Sequence, residues 1–192
     1  MQLISDLCSQ HQPLKHARER TTEIILRSLP IGIVLLASLA VLQSTVVTQF
    51  AWIRGRPDLV AVMVLVWSLL SDRGDALAWA FGGGLLLDTL SGGPTGAAII
   101  GLTVVSLLAG LSERRLWESH LSLPLVAVAL GTIIYHLIYL AVLTVSGWSI
   151  PWIETLTTVT LPSMILNLIL TLPAYRVARW LADQLWRGDV AI

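Results

Sequence analysis

The stretch LVAVMVLVWSLLSDRGDALAWAFGGGLLLD, residues 59–88, decides the fold of this chain, because it reads either as one long apolar helix or as two short ones. Three charged residues, Asp72, Arg73 and Asp75, lie near its middle. Each would cost roughly 2.5–3.5 kcal/mol at the centre of a membrane-spanning helix. We therefore predict two short helices, over 59–71 and 76–87, which meet in a turn at the charged residues.

The composition of the whole chain places it in a membrane. Of its 192 residues, 55% are hydrophobic and 12% are charged, whereas an ordinary globular domain carries about 25% charged residues. The net charge is zero, so the chain has no basic surface for nucleic acid. The single cysteine, Cys8, predicts neither an internal disulfide nor a metal site.

Charge-free gaps on either side of the opening stretch predict four further spans, since a bilayer core of about 30 Å needs roughly 20 apolar residues in a helix. These spans are 29–48, the apolar run that follows a turn at 91–96 and ends at 112, 121–145 and 155–175. The predicted fold is an all-α integral membrane protein with six transmembrane helices. We divide it into a basic N-terminal segment (1–27), a transmembrane domain (28–175) and an amphipathic tail (176–192).

The distribution of basic residues predicts the orientation. With six spans, ten Lys and Arg residues lie on the side of the termini and two on the other, whereas five spans give four against seven. The positive-inside rule therefore favours six spans with both termini cytoplasmic. Trp67 and Trp79 flank the turn at 72–75, which is typical of rings at the inner headgroup layer. In the tail, Val177, Trp180 and Leu181 lie largely opposite the arginines, so we expect the tail to rest on headgroups.

Three polar residues inside the predicted spans are candidates for function, because polar groups in a membrane are costly. They are Gln43, His136 and Asn167. They could line a substrate pocket, or they could form hydrogen bonds between helices that are worth about 0.6–2 kcal/mol each. We favour hydrogen bonding, since neither His136 nor Asn167 has an evident charged partner.

The third predicted helix carries a row of small residues, Ala76, Ala80 and Gly84, which continues to Asp88 at four-residue spacing and lies on one helix face. Small residues let helix backbones approach closely. We expect this row to pack on Ala97 and Gly101 of the next helix, and the alternative is that it receives a helix from another protein.

Asp88 meets the negative end of its own helix dipole, so it needs a compensating partner. Three surroundings are open: the backbone N–H groups of the turn at 91–96, the side chain of Arg54 or Arg56, or solvent.

Motifs of enzymes are absent from the sequence. It contains no zinc-binding His-Glu-x-x-His, no Gly-x-Ser-x-Gly, no phosphate-binding loop and no dinucleotide fingerprint. We therefore predict a protein that is not an enzyme and that uses no cofactor and no metal.

Two motifs carry a resemblance to a known family. The first is Pro57-Asp58 at the start of an aliphatic helix. The second has the pattern Gly-x-x-x-Asp-x-x-Ser-Gly-x-Pro-x-Gly, formed by Gly84, Asp88, Ser91, Gly92, Pro94 and Gly96. Together they resemble the MreD family of rod shape-determining proteins, over roughly residues 28–180.

The resemblance implies a scaffold of the bacterial cell-elongation complex in the cytoplasmic (inner) membrane, with a part in cell shape and peptidoglycan synthesis. Its implied partners are MreC, the actin-like MreB, the RodA glycosyltransferase, a class B penicillin-binding transpeptidase and membrane lipid. The fold implied is similar to the substrate-binding subunits of energy-coupling-factor transporters. A vitamin-capture subunit of such a transporter is therefore the alternative function.

Overall fold

The computed structural model describes residues 28–45, 55–111 and 122–186, and the regular structure in these ranges is helical throughout. Six helices follow one another. They are α1 (Ser28–Thr45), α2 (Leu59–Leu70), α3 (Arg73–Ser91), α4 (Ala97–Ala109), α5 (Ser122–Val145) and α6, which starts as Trp152–Thr155, passes through a π-helical turn at Leu156–Thr160 and continues as Leu161–Trp186. The prediction of an all-α fold is confirmed. Three of the helices, α1, α5 and α6, are long and apolar enough to cross a membrane.

Helix α2 lies at the centre of the bundle. Residues 60–69 are all buried, and α2 packs against α3, α4, α5 and α6. Leu36 and Ala40 of α1 belong to the same core. A helix that is apolar on every face needs neighbours on every face, and the almost entirely apolar sequence of α2 fits this central position. Its 12 residues span only about 18 Å, but helices rather than lipid surround it, so its length need not match the bilayer.

Helix α3 is longer than the predicted 76–87, because it takes Arg73, Asp75 and Asp88 into its two end turns. The charges are tolerated there since each has polar partners. Arg73 Nε donates to the carbonyl oxygen of Gly110 at 3.0 Å, at the C-terminal end of α4, where a cation is favourable. The partners of the two aspartates are described below.

Trp67 and Trp79 are buried inside the bundle, so the prediction that their rings face the headgroup layer is wrong. Their relative exposures are 0% and 1%, and their rings stack with centroids 4.4 Å apart. The Trp67 indole N–H donates to the Asp75 carboxylate at 2.9 Å. The Asp75 carboxylate thus accepts the hydrogen bond that a tryptophan N–H at an interface would donate to water.

Helix α6 continues through Pro173 without a break, so residues 176–186 extend the last membrane helix. Val177 and Trp180 are exposed, but so are Arg176 and Arg179. Trp180 lies one turn after Arg176 on the same side of the helix, so the prediction that it lies opposite the arginines is wrong. Leu181 is buried and does not face headgroups. It packs in the core together with Ala178 and Ala182. Side chains of the bundle therefore hold this end of α6 in place. Residues 187–192 lie outside the described residues.

Candidate functional site

Polar side chains from three helices meet around Asp58, the residue that precedes α2. We call this group the Asp58 cluster. Its members are Gln43 of α1, Asp58 itself, Thr132 and His136 of α5, and Thr160, Ser163 and Asn167 of α6. All three polar candidates from the sequence lie in it, so residues on three different spans converge on the Pro-Asp motif.

The cluster satisfies the backbone at the N-terminus of α2. Side chains of α1 and α6 accept hydrogen bonds from three amides: Arg56 N–H donates to Ser163 Oγ at 2.9 Å, Asp58 N–H to Asn167 Oδ1 at 2.9 Å and Val60 N–H to Gln43 Oε1 at 3.3 Å. The first N–H groups of a helix have no partner within it, and leaving them unpaired in a membrane is costly. Of the three amides only that of Val60 belongs to α2, so Gln43 of α1 caps the helix, while Ser163 and Asn167 of α6 hold the segment that leads into it.

Pro57 and Asn167 complete this arrangement. Proline has no N–H group, so its position between the bonded amides of residues 56 and 58 leaves no donor unsatisfied. Asn167 is 1% exposed, and its Nδ2 also donates to Thr132 Oγ1 at 3.3 Å. It thus joins α6 to both α2 and α5, as the hydrogen-bonding interpretation of this residue expects.

The Asp58 carboxylate does not cap its own helix but turns toward α1 and α5. Gln43 Nε2 donates to Oδ1 at 2.7 Å, and His136 Nε2 lies 3.8 Å from Oδ2. His136 therefore has a charged partner, which the sequence did not reveal. The side chains of Asp58 and His136 are 17% and 14% exposed, so the pair lies at the edge of the core.

The π-helical turn of α6 supplies the second partner of His136. Nδ1 of the imidazole lies 3.1 Å from the hydroxyl of Thr160, the last residue of that turn. A single π turn inserts one extra residue into a helix and is frequent at functional sites. Here it brings Thr160, which is 3% exposed, into contact with α5.

A second group of polar contacts connects α3 to α4 through the carboxylate of Asp88. Its Oδ2 accepts from the N–H of Gly96 at 2.8 Å and of Ile99 at 3.2 Å, and its Oδ1 accepts from the N–H of Ala98 at 2.9 Å. The carboxylate is 5% exposed and lies at the positive end of the α4 dipole, which favours an anion. Of the three surroundings considered for Asp88, backbone N–H groups are the one observed. Only the amide of Gly96 belongs to the turn, and the other two amides belong to α4. Arg54 lies outside the described residues.

The rest of the second motif shapes the turn between α3 and α4. Gly92 and Gly96 have φ angles of +64° and +103°, a region that glycine adopts at little cost. Ser91 Oγ accepts from the N–H of Gly93 at 3.4 Å, and the Pro94 carbonyl oxygen accepts from the N–H of Ala97 at 3.4 Å. The motif therefore folds a short connection that brings the start of α4 back onto Asp88.

The small-residue row of α3 packs inside the protein. A Cβ atom added at Gly84 would lie 2.5 Å from Ile99 Cα of α4, and Ala76 and Ala80 are buried. The expected pairing with Gly101 is wrong, because a Cβ at Gly101 would meet the ring of Tyr135 on α5 at 2.7 Å. Helix α4 thus uses one face for α3 and another for α5.

Aromatic residues of α5 connect the two motifs. His136 faces Asp58, while Tyr135 packs on Gly101, and a Cβ at Gly93 would lie 2.8 Å from the Tyr139 hydroxyl. The ring centroids of Tyr135 and His136 are 5.6 Å apart, and those of Tyr135 and Tyr139 are 6.1 Å apart. Both motifs therefore touch one helix, although Asp58 and Gly84 are 26 positions apart in the sequence.

One site escaped the sequence analysis. The Asp75 carboxylate, 1% exposed, accepts from the Ser28 hydroxyl of α1 and from the Trp67 indole N–H. The sequence feature that could have predicted this site is a carboxylate close to two tryptophans, since a buried indole N–H needs an acceptor. This site joins α1, α2 and α3 at the end of α2 opposite the Asp58 cluster.

The arrangement fixes helices to one another through polar contacts. Within residues 28–45, 55–111 and 122–186, no three His, Cys, Asp or Glu side chains come together as metal ligands. The polar groups of the Asp58 cluster bind one another and the backbone at and just before the start of α2.

Comparison with protein families identifies the chain. A family model described as rod shape-determining protein MreD matches residues 24–181, a range that includes both motifs and nearly all of the six helices. Neither a curated protein nor a solved structure gives a match. Its apolar helices make the chain an integral membrane protein, and it belongs to the MreD family, with a role in the determination of rod shape.

Proposed function

We propose that this chain is a non-enzymatic scaffold of the bacterial cell-elongation complex that binds MreC and thereby helps to control cell shape and peptidoglycan synthesis. The family match over residues 24–181 is the observation that carries the proposal. The family is a shape-determining one and not a known enzyme family. MreB, RodA and a class B penicillin-binding transpeptidase are the further partners that we propose for the same complex.

The proposed topology has six spans in the inner membrane, with a cytoplasmic segment at 1–27, a transmembrane domain at 28–175 and a cytoplasmic end at 176–192. The ten-to-two distribution of basic residues supports it. The enclosed position of α2 also supports it, because a central helix need not be as long as one that faces lipid.

The hydrogen bonds of the Asp58 cluster and of Asp88 support a scaffold rather than a transporter subunit. A vitamin-capture subunit needs a cavity whose polar groups converge on a ligand. Gln43 is instead engaged with the backbone of α2, Ser163 and Asn167 are engaged with the segment that leads into α2, and Asp88 is engaged with the backbone of α4. A bundle fixed in this way suits a protein that presents a constant surface to its partners.

Affinity purification of the tagged full-length chain from native membranes tests the proposal. We expect MreC and other elongation proteins to co-purify, and to be absent when an untagged strain is treated identically. Recovery of ATP-binding-cassette ATPases in place of MreC would contradict the scaffold and support the transporter alternative.

A further inference from the structure

The C-terminal part of α6 presents two arginines and a tryptophan on its outer surface. Arg176 and Arg179 are exposed, and Trp180 is 62% exposed. The opposite side of the same turns is packed, since Ala178 and Ala182 belong to the core. The bundle therefore fixes which face of this segment points outward.

The sequence places this face at the level of the lipid headgroups. Between Glu154 and Arg176, residues 155–175 carry no charge, and they span about 32 Å as a helix. The hydrocarbon core of a bilayer is about 30 Å thick. Arg176, Arg179 and Trp180 consequently follow directly after the segment that crosses it, where basic and tryptophan side chains are favoured.

No residue that the structure describes neutralises either arginine. Within the residues that the structure describes, Arg176 and Arg179 form no salt bridge, and Asp183, one turn beyond Arg179, is exposed and pairs with neither. The two positions are three residues apart, so both side chains lie on neighbouring turns of one face. A guanidinium group matches the geometry of a phosphate and can donate two hydrogen bonds to it.

We propose that Arg176 and Arg179, with Trp180 beside them, bind the phosphate of an anionic phospholipid. Charge complementarity selects the headgroup, and the indole ring packs at the boundary between headgroup and acyl chain. The site is independent of the proposed MreC interaction, because it requires only the exposed face of α6 and a membrane surface. A failure of this proposal would leave co-purification with MreC unchanged.

Native mass spectrometry of the purified full-length chain tests the site. The protein is equilibrated in detergent with equal amounts of phosphatidylglycerol and phosphatidylcholine, and the retained lipids are counted. We expect wild-type protein to retain phosphatidylglycerol preferentially and the double variant Arg176→Gln/Arg179→Gln to lose about an order of magnitude of that preference. Circular dichroism checks that the variant keeps its helices.

Arg56→Gln is the matched control, because Arg56 is also exposed but lies at the other end of the bundle. We expect it to keep the wild-type preference. The proposal is overturned if wild-type protein retains both lipids equally, if the double variant keeps the preference, or if Arg56→Gln loses it to the same degree.

Discussion

The backbone N–H of Ala98 in α4 donates a hydrogen bond of 2.9 Å to the carboxylate of Asp88 in α3. This contact reverses the electrostatic penalty that Asp88 has in its own helix, because the carboxylate now lies at the positive end of the next one. At the other end of α4, Arg73 donates to Gly110. Helix α3 thus provides a charge of suitable sign at each end of α4.

Asp88→Ala should lower the free energy of unfolding by about 1–3 kcal/mol, because it leaves buried amides without an acceptor. Asp88→Asn keeps one acceptor oxygen and should be milder. Thermal denaturation in detergent measures both changes, and Asp183→Asn serves as an exposed control. If Asp88→Ala is as stable as the wild type, the backbone N–H groups that Asp88 binds can be hydrogen-bonded by solvent instead, and the account is contradicted.

Gly84→Ala and Gly82→Ala form a matched pair on α3. A Cβ at Gly84 would lie 2.5 Å from the backbone of Ile99, whereas nothing lies within 4 Å of one at Gly82. We expect Gly84→Ala to destabilise the protein by about 1–3 kcal/mol and Gly82→Ala to be neutral or to stabilise it by up to about 1 kcal/mol. Denaturation midpoints in detergent decide between these outcomes. Equal effects of the two substitutions would refute the close packing of α3 on α4.

Asp58 and His136 should be energetically coupled, since the side chains are 3.8 Å apart at the edge of the core. In a double-mutant cycle with Asp58→Ala and His136→Ala, we expect the two destabilisations to differ from additivity by about 0.5–3 kcal/mol. Pairing Asp58→Ala with Gln184→Ala, an exposed position on the C-terminal part of α6, gives an additive control. Additivity in both cycles would show that Asp58 and His136 are neighbours without an interaction.

The proposed topology predicts which positions an impermeant thiol reagent can reach in intact cells. In a Cys8→Ser background, cysteines at the exposed positions Thr95 and Ser149 should react, and cysteines at the exposed positions Leu111 and Gln184 should not. Permeabilised cells, in which all four should react, provide the control. Labelling of Leu111→Cys or Gln184→Cys from outside would contradict the six-span arrangement.

The sequence predicted three polar members of the Asp58 cluster one by one, but it did not predict that they come together around Asp58. Gln43, His136 and Asn167 stand out because polar residues are rare in apolar helices. Their contacts depend on how α1, α5 and α6 are rotated about their axes, and spacing within one helix contains no information about its rotation against another. The partner of His136 was missed for this reason.

The ends of α3 show a different reason for failure. Counting charges ended the predicted helix at 76 and 87, because Arg73, Asp75 and Asp88 are costly in lipid. Each of them has a polar partner within the protein, and no charge count can reveal that compensation. The burial of Trp67 and Trp79 was missed likewise. Their position beside the turn at 72–75 predicted rings exposed to headgroups, and the internal bond between Trp67 and Asp75 was not foreseen.

Binding to MreC is the central claim, and co-expression of the tagged chain with untagged full-length MreC from the same organism tests it most directly. We predict that MreC is retained through affinity purification and elutes with the chain as one peak in size-exclusion chromatography. MreC expressed with a tagged, unrelated membrane protein should not be retained. Elution of the folded, monodisperse chain without MreC would contradict the proposed scaffold.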